Sequence, residues 1–97
     1  MRVIALKTLK AFWAKYPDAE QPLKSWFQLT SKADWKTPQA VKALYRSATI
    51  LQDGRVVFNV VGNKYRLVAW INYAYKTVYV RFVGTHKQYD EIDAQNV

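Results

Sequence analysis

Residues 53–74 read DGRVVFNVVGNKYRLVAWINYA, and this stretch decides the fold of the chain. Through most of it apolar residues alternate with polar ones, which is the period of a β-strand with one buried face. Asp53-Gly54 and Gly62-Asn63 are residue pairs typical of two-residue hairpin turns. The stretch therefore predicts antiparallel strands that these two turns connect. The predicted strands cover residues 48–52, 55–61 and 64–74.

The alternation continues in residues 78–83, which predict a fourth strand after a turn near Tyr75-Lys76. The sheet is then an antiparallel meander, and its side chains sort into two faces. The face expected to be buried carries Val56, Phe58, Val60, Tyr65, Leu67, Ala69, Ile71, Val78, Val80 and Phe82. The opposite, open face carries Asn59, Lys64, Arg66, Trp70, Asn72, Tyr79 and Arg81.

The first half of the chain has helical periodicity instead. Apolar residues recur every three or four positions over residues 6–16, and Pro17 ends the pattern. A second amphipathic helix is expected to begin within residues 18–22, and Thr37-Pro38 has the N-cap and first-turn residues that begin a third. Residues 1–5 predict a short edge strand. The fold class is therefore α+β, with N-terminal helices packed on one face of a mainly antiparallel sheet of four to five strands.

Composition narrows the classes of function. The 97 residues include 15 Lys and Arg against 7 Asp and Glu, a formal net charge of +8, and 51% are hydrophobic. This length and hydrophobic content predict one domain over residues 1–97. The excess of positive charge predicts a polyanionic partner: nucleic acid, an anionic membrane or an acidic protein. The alternative is a basic surface that only aids solubility.

The scarcity of Cys and His excludes several chemistries. The chain has no Cys and one His, so disulfides, thiolate nucleophiles and metal sites built on Cys or His are not expected, and no cofactor is predicted. Lys7 and Lys10 interrupt the first apolar run, so neither a signal peptide nor a transmembrane segment is predicted. We therefore expect a cytoplasmic protein with no membrane partner.

The predicted register brings the lone His close to basic residues of the sheet. With Gly62-Asn63 as the loop, Asn59 pairs with Arg66 and Phe58 with Leu67. With Tyr75-Lys76 as the next loop, Arg66 falls opposite Thr85 and Trp70 opposite Arg81, and a slip of two residues would preserve the faces. Either register places Arg66 within about one residue pair of the stretch that leads to His86.

The residues gathered at this strand end are suited to binding or cutting RNA. They are Lys64, Arg66, Arg81, His86, Lys87 and Tyr89, with Asn59 and Lys36 as further candidates for RNA binding. Cleavage of RNA without a metal ion needs a base, an acid and fixed cations, which His, Tyr, Lys and Arg can supply. The same residues are equally suited to a noncatalytic RNA-binding surface. A DNA-binding regulator is disfavoured because no helix-turn-helix pattern is present.

Two motifs resemble a known family. The segment Phe58-Asn59-Val60-Val61-Gly62-Asn63-Lys64-Tyr65-Arg66-Leu67-Val68 and the closing Thr85-His86-Lys87-Gln88-Tyr89-Asp90 resemble the HigB family of bacterial toxins, within the RelE-like superfamily. The resemblance extends from about Ile4 to Asp93 and includes the order of two helices followed by a meander. It implies a ribosome-dependent, metal-independent mRNA endonuclease that inhibits translation, and a HigA-type helix-turn-helix antitoxin as partner.

The resemblance also implies roles for individual residues. Arg66 matches the arginine on the central strand that holds the scissile phosphate. His86 and Lys87 occupy the position where relatives have a basic catalytic residue, and Tyr89 matches the aromatic residue that follows. The catalytic candidates are therefore Arg66, His86, Lys87 and Tyr89. The assignment of base and acid among the last three stays open.

Overall fold

A computed structural model describes residues 1–4 and 6–97, and the fifth residue of the predicted edge strand lies outside the described residues. The elements along the chain are β1 (Arg2–Ile4), α1 (Leu6–Lys15), a 3₁₀ turn (Pro17–Ala19), α2 (Glu20–Lys32), α3 (Pro38–Leu44), β2 (Thr49–Ile50), β3 (Arg55–Val60), β4 (Tyr65–Asn72), β5 (Thr77–Thr85) and α4 (His86–Asp90). The strands form one sheet in the order β1-β5-β4-β3-β2. Only β1 pairs in parallel, with β5, so the predicted α+β class with a mainly antiparallel sheet is confirmed.

The core lies between the first three helices and one face of the sheet. Buried residues of the helical layer include Leu9, Leu23, Trp26 and Val41, and the sheet contributes Val56, Phe58, Leu67, Ile71 and Val78. Their spacing follows the two periods of the sequence, three or four residues in the helices and two in the strands. The Thr37 side chain caps α3 as expected, accepting a hydrogen bond from the Ala40 N–H at 3.3 Å.

The two predicted hairpin turns are present. At the first, Asp53 and Gly54 both have positive φ, 55° and 80°, as a type I′ turn requires. A Cβ on Gly54 would lie 2.6 Å from the Ile71 carbonyl oxygen, so both the backbone conformation and the close approach require glycine. The second turn pairs Asn59 with Arg66 and Phe58 with Leu67, as predicted.

The register of the last hairpin differs from the prediction. The turn is centred on residues 74–75, one position before Tyr75-Lys76, and the Lys76 N–H donates to the Tyr73 carbonyl oxygen at 3.3 Å. Trp70 therefore faces Tyr79 instead of Arg81, which is the slip of two residues that preserves the faces. A β-bulge then inserts Arg81 between the pairs Ala69–Val80 and Val68–Phe82, and Arg66 faces Gly84 instead of Thr85.

The bulge also changes which side chains face the core. Beyond Arg81 the alternation shifts by one residue, so Phe82 moves to the open face and Val83 packs against the core. The prediction that Phe82 belongs to the buried face was therefore wrong. The Phe82 ring lies close above Gly84, where an added Cβ would come within 2.5 Å of its Cζ.

A short helix follows β5, where the sequence analysis predicted no further element. Thr85 begins α4 with a capping box: its hydroxyl accepts from the Gln88 N–H at 3.1 Å, and the Gln88 side chain accepts from the Thr85 N–H at 2.9 Å. The spacing Thr-x-x-Gln in the sequence was the available signal. Within the described residues, none of the helices has the length and hydropathy needed to cross a membrane.

Candidate functional site

The start of α4 is held against the start of β4. The His86 N–H donates to the Lys64 carbonyl oxygen at 3.1 Å, and the neighbouring pair Tyr65–Thr85 closes the antiparallel ladder. The prediction that Arg66 lies within about one residue pair of the stretch leading to His86 is confirmed, because Arg66 pairs with Gly84. The helix therefore presents its side chains beside Arg66, the first open-face residue of β4.

Arg66 has an aromatic neighbour but no carboxylate partner. Its guanidinium carbon lies 5.8 Å from the centre of the Tyr89 ring, a cation–π contact across β4 and α4. Within the described residues Arg66 forms no ion pair, and its buried Nη1 has no hydrogen-bond partner. Leaving a buried donor unpaired costs about 1–3 kcal/mol, more when the group is charged, so the arrangement is suited to binding an external anion.

His86 is oriented by its own helix. Its Nδ1 lies 3.1 Å from an Asp90 carboxylate oxygen, one helical turn away, and the two side chains are 51% and 60% exposed. With Nδ1 engaged, Nε2 is the ring atom available for proton exchange. Lys87 is exposed, and Tyr89 is half-buried against Arg66. No group of three or more potential metal ligands is found within residues 1–4 and 6–97.

Lys64 is directed away from this group. Its ammonium pairs with the Asp18 carboxylate, which also accepts a hydrogen bond from the Tyr65 hydroxyl at 2.5 Å. The hydrogen bonds from Lys64 and Tyr65 lower the pKa of Asp18 below its ordinary value of 3.8, and the bond to Asp18 raises the pKa of Lys64. Because Asp18 belongs to the 3₁₀ turn of the helical layer, the prediction of an open-face Lys64 was wrong. Lys64 lies in the turn between β3 and β4, outside the alternation of the strands.

The other predicted RNA-binding residues are spread along the protein. Asn59 lies on the open face opposite Arg66 and donates to the Ser47 carbonyl oxygen at 3.4 Å. Arg81 is exposed at the bulge, with Nε 3.3 Å from the Val97 main-chain oxygen. Lys36 is close in sequence to Asp34, which pairs with Lys76 in the turn before β5. That turn is about 30 Å of strand from His86, so Lys36 is not part of the same group.

Several residues of this surface were missed by the sequence analysis. Asp90 became visible only with α4, which the capping box predicts. Arg55, opposite Trp70, also lies on the open face, and its alternation with Val56 was a sufficient signal. Nothing in the pattern predicts that residues 91–97 fold back over this face, where Arg55 contacts the Val97 main-chain oxygen.

Comparison with known proteins agrees with this geometry. A family model described as HigB_toxin, a RelE-like toxic component of a toxin-antitoxin system, matches residues 19–92. The chain belongs to the HigB toxin family. The predicted family resemblance is thereby confirmed, and the matched region contains both Arg66 and the whole of α4.

Curated relatives in the HigB family cover almost the whole chain. The chain is 36% identical over 92 residues to the mRNA interferase toxin HigB of Escherichia coli (strain K12), covering 93% of this chain and 88% of the relative. The mRNA interferase HigB of Shigella flexneri matches equally well. The mRNA interferase HigB of Escherichia coli O6:H1 is 24% identical over 94 residues, covering 95% and 91%. These relatives are named as mRNA interferases, which are endoribonucleases.

Proposed function

We propose that this protein is an mRNA endonuclease, the toxin of a type II toxin-antitoxin system, which inhibits translation by cutting mRNA on the ribosome. The observation that carries the proposal is Arg66, a half-buried cation without a carboxylate partner that lies against Tyr89 and beside the helix bearing His86. The names of the relatives support the same activity. The protein acts as a single domain, residues 1–97, in the cytoplasm.

In the proposed reaction the 2′-oxygen of the RNA attacks the adjacent phosphorus. The O2′–P bond forms, the P–O5′ bond breaks, and the products are a 2′,3′-cyclic phosphate and a 5′-hydroxyl. Arg66 holds the scissile phosphate through its planar donor fork and stabilises the charge that develops on the phosphorane. The ring of Tyr89 supports the guanidinium in that orientation.

We assign the proton transfers to side chains of α4. His86 takes the proton of the 2′-hydroxyl through Nε2, because Asp90 engages Nδ1 and fixes the ring. The leaving 5′-oxygen receives a proton from Tyr89 or Lys87, and the two assignments are separable by substitution. Tyr89→Phe keeps the ring against Arg66 but removes the hydroxyl, whereas Lys87→Met removes the ammonium and keeps a side chain of similar length. These side chains supply base, acid and charge without a metal ion.

The open face of the sheet receives the RNA strand. Asn59 and Arg81 lie on this face with Arg66, and the arginines on it form no ion pairs with carboxylate side chains within the described residues. Lys36 and Lys64 lie elsewhere, so any contact that they make with RNA or with ribosomal RNA is outside the catalytic group. The net charge of +8 suits a ribosomal target. The proposed inhibitor is a HigA-type helix-turn-helix antitoxin.

Mapping mRNA ends tests the proposal. In cells that express the parent protein, primer extension should find new, discrete 5′ ends within coding regions, and these ends should carry a 5′-hydroxyl. An Arg66→Ala, His86→Ala double variant should produce neither the ends nor growth arrest. Purified protein should cut a defined mRNA in translating ribosomes much faster than the same mRNA alone.

Three results would contradict different parts of the proposal. Growth arrest without new mRNA ends would indicate a noncatalytic inhibitor that binds RNA or the ribosome. Undiminished cutting by the double variant would mean that the catalytic residues are elsewhere. Equal cutting of free and translating mRNA would remove the ribosome from the mechanism and leave the nuclease assignment intact.

A further inference from the structure

The last seven residues of the chain lie across the open face of the sheet. The main-chain oxygen of Val97 accepts hydrogen bonds from Arg55 and, at 3.3 Å, from the Nε of Arg81. The Gln95 side chain forms a reciprocal pair with the Gln52 main chain, accepting from its N–H at 3.0 Å and donating to its carbonyl oxygen at 2.7 Å. Residues 91–97 thus connect strands at both sides of β4.

The two arginines under this segment continue the line that begins at Arg66. Arg55 is the partner of Trp70 on β4, and Trp70 lies four residues, about 13 Å, along the strand from Arg66. Arg81 projects from the bulge on β5, on the other side of β4. Neither arginine forms an ion pair with a carboxylate side chain in the described part of the chain. Their donors are occupied by the C-terminal segment instead.

We propose that Arg55 and Arg81 form a second phosphate-binding pair for the RNA strand, and that residues 91–97 cover this pair until RNA displaces them. The inference rests on the proposed function, because it takes RNA as the ligand of the open face. A strand whose scissile phosphate lies on Arg66 and which continues along β4 reaches Arg55 and Arg81. The segment therefore competes with RNA for the same guanidinium groups.

The hydrogen bonds from the segment to the sheet are few enough for such an exchange. Within the described residues, its hydrogen bonds to the sheet side of the molecule involve one main-chain oxygen and one glutamine side chain. Its first two residues are joined to α4, because the N–H groups of Glu91 and Ile92 donate to carbonyl oxygens of that helix at 3.2 Å. The other polar contacts are internal: Asp93 accepts from the Gln95 N–H at 3.1 Å and from the Asn96 side chain at 2.5 Å. Residues 93–97 can therefore move as a unit without losing these internal bonds.

RNA phosphates can replace the hydrogen bonds that the arginines lose when the segment leaves. A phosphate offers each guanidinium charge-assisted hydrogen bonds, and its binding releases counterions from the RNA. The exposed carboxylates of Glu91 and Asp93 lie on the covering segment, and they repel RNA while it is in place. Both effects favour a state in which either the segment or the RNA occupies the arginine pair.

A reversible cross-link tests the inference. The chain has no cysteine, so Gln52→Cys and Gln95→Cys introduce a unique thiol pair that a disulfide-containing cross-linker can join and a reductant can release. Binding is measured by fluorescence anisotropy of a short labelled single-stranded RNA with 2′-O-methyl groups, which cannot be cut by attack of the 2′-oxygen. The cross-linked form should bind about tenfold more weakly than the same molecule after reduction. The reduced variant, which lacks the Gln95 hydrogen bonds, should bind more tightly than the parent.

The arginine pair is tested separately by salt dependence. Arg55→Ala should weaken RNA binding and reduce the slope of log K against log salt by about one, as expected for one lost phosphate contact. The matched control is Lys7→Ala, which removes a charge from the helical layer, and it should leave the slope unchanged.

Equal RNA affinity of cross-linked and reduced protein would overturn the inference, as would an unchanged salt slope in Arg55→Ala. Absence of RNA binding by all forms would overturn it too. The proposed nuclease would fail only if mRNA of expressing cells also lacked new 5′ ends, so the two failures are distinguishable.

Discussion

Cations on the two sides of the sheet differ in whether a carboxylate side chain pairs with them. On the helical side, Lys24, Lys64 and Lys76 each pair with a carboxylate, from Glu20, Asp18 and Asp34 respectively. On the open side, no carboxylate side chain pairs with Arg55, Arg66 or Arg81 in the described residues, and Arg55 and Arg81 donate to the Val97 main-chain oxygen instead. Charge that is paired within the protein has little left for a ligand, whereas unpaired guanidinium groups attract an external anion. The comparison indicates that the open-face arginines are more available to an external anion than these three paired lysines.

The largest effect on stability is expected from the buried face. Leu67 is fully buried between the helices and the sheet, and it is the sequence neighbour of Arg66. Leu67→Ala should lower the free energy of unfolding by about 2–5 kcal/mol, because it removes buried methyl groups and leaves a cavity. Urea denaturation measures this loss. Cleavage per folded molecule should stay near that of the parent, and a specific loss of cleavage would break the division between the two faces.

Arg66→Ala should have the opposite pair of effects: a large loss of cleavage and little change in stability. Loss of the group that stabilises the phosphorane should reduce mRNA cleavage by about 100-fold to 1,000-fold, in the range found for single charge-stabilising donors. The free energy of unfolding should change little, because one buried donor without a partner is removed. Arg66→Lys keeps the charge but loses the planar fork, so it should recover only part of the activity. A large drop in stability would show that Arg66 is structural.

Asp90→Asn is expected to have a smaller effect. The carboxylate orients His86 from one helical turn away, so its loss should lower the rate of cleavage by about tenfold, well below the 100-fold to 10,000-fold loss expected for His86→Ala. Single-turnover kinetics separate the rate of cutting from RNA affinity, which should not change. If affinity fell and the rate did not, Asp90 would be acting on binding and not on His86.

The smallest effect is expected at Asp18, and it depends on pH. Its pKa in the folded protein lies below 3.8 because Lys64 and Tyr65 donate hydrogen bonds to the carboxylate. The stabilisation is therefore present above the unfolded pKa, near pH 4, and is lost as pH falls through the lowered folded value. Asp18→Asn should lose less stability between pH 7 and acid than the parent. Asp53→Asn, in an exposed turn, is the matched control, and neither variant should affect cleavage.

Much of the fold follows directly from the sequence. The period of two in residues 55–72 and the Asp53-Gly54 turn determine three strands and their faces, because a register error of one residue would bury Arg66 and expose Leu67. The Thr37 N-cap and the amphipathic helices could equally be predicted from the sequence. These features depend on local backbone geometry and on burial, which residue types report directly.

The remaining features depend on contacts that are distant in sequence. The bulge at Arg81 interrupts a strand whose alternation is perfect in sequence, and it exchanges the faces of Phe82 and Val83. The path of residues 91–97 is determined by hydrogen bonds to Gln52 and Arg55, about forty positions away. Lys64 lies beside the predicted Gly62-Asn63 turn, yet its side chain pairs with Asp18 in the helical layer. In the candidate site, the residue types predicted RNA-cleavage chemistry. Ion pairing within the folded protein decides which cations are available to bind RNA.

The most direct test of the role of Arg66 compares it with a cation two residues earlier, Lys64, which lies in the turn before β4. Arg66→Ala and Lys64→Ala each remove one positive charge, and cleavage of a defined mRNA in translating ribosomes is measured for both. Lys64→Ala should cut nearly as well as the parent, because Lys64 is paired with Asp18 on the helical side. Arg66→Ala should lose about 100-fold or more. Equal losses in the two variants would contradict it, because they would mean that overall charge and not the unpaired open-face arginine promotes cleavage.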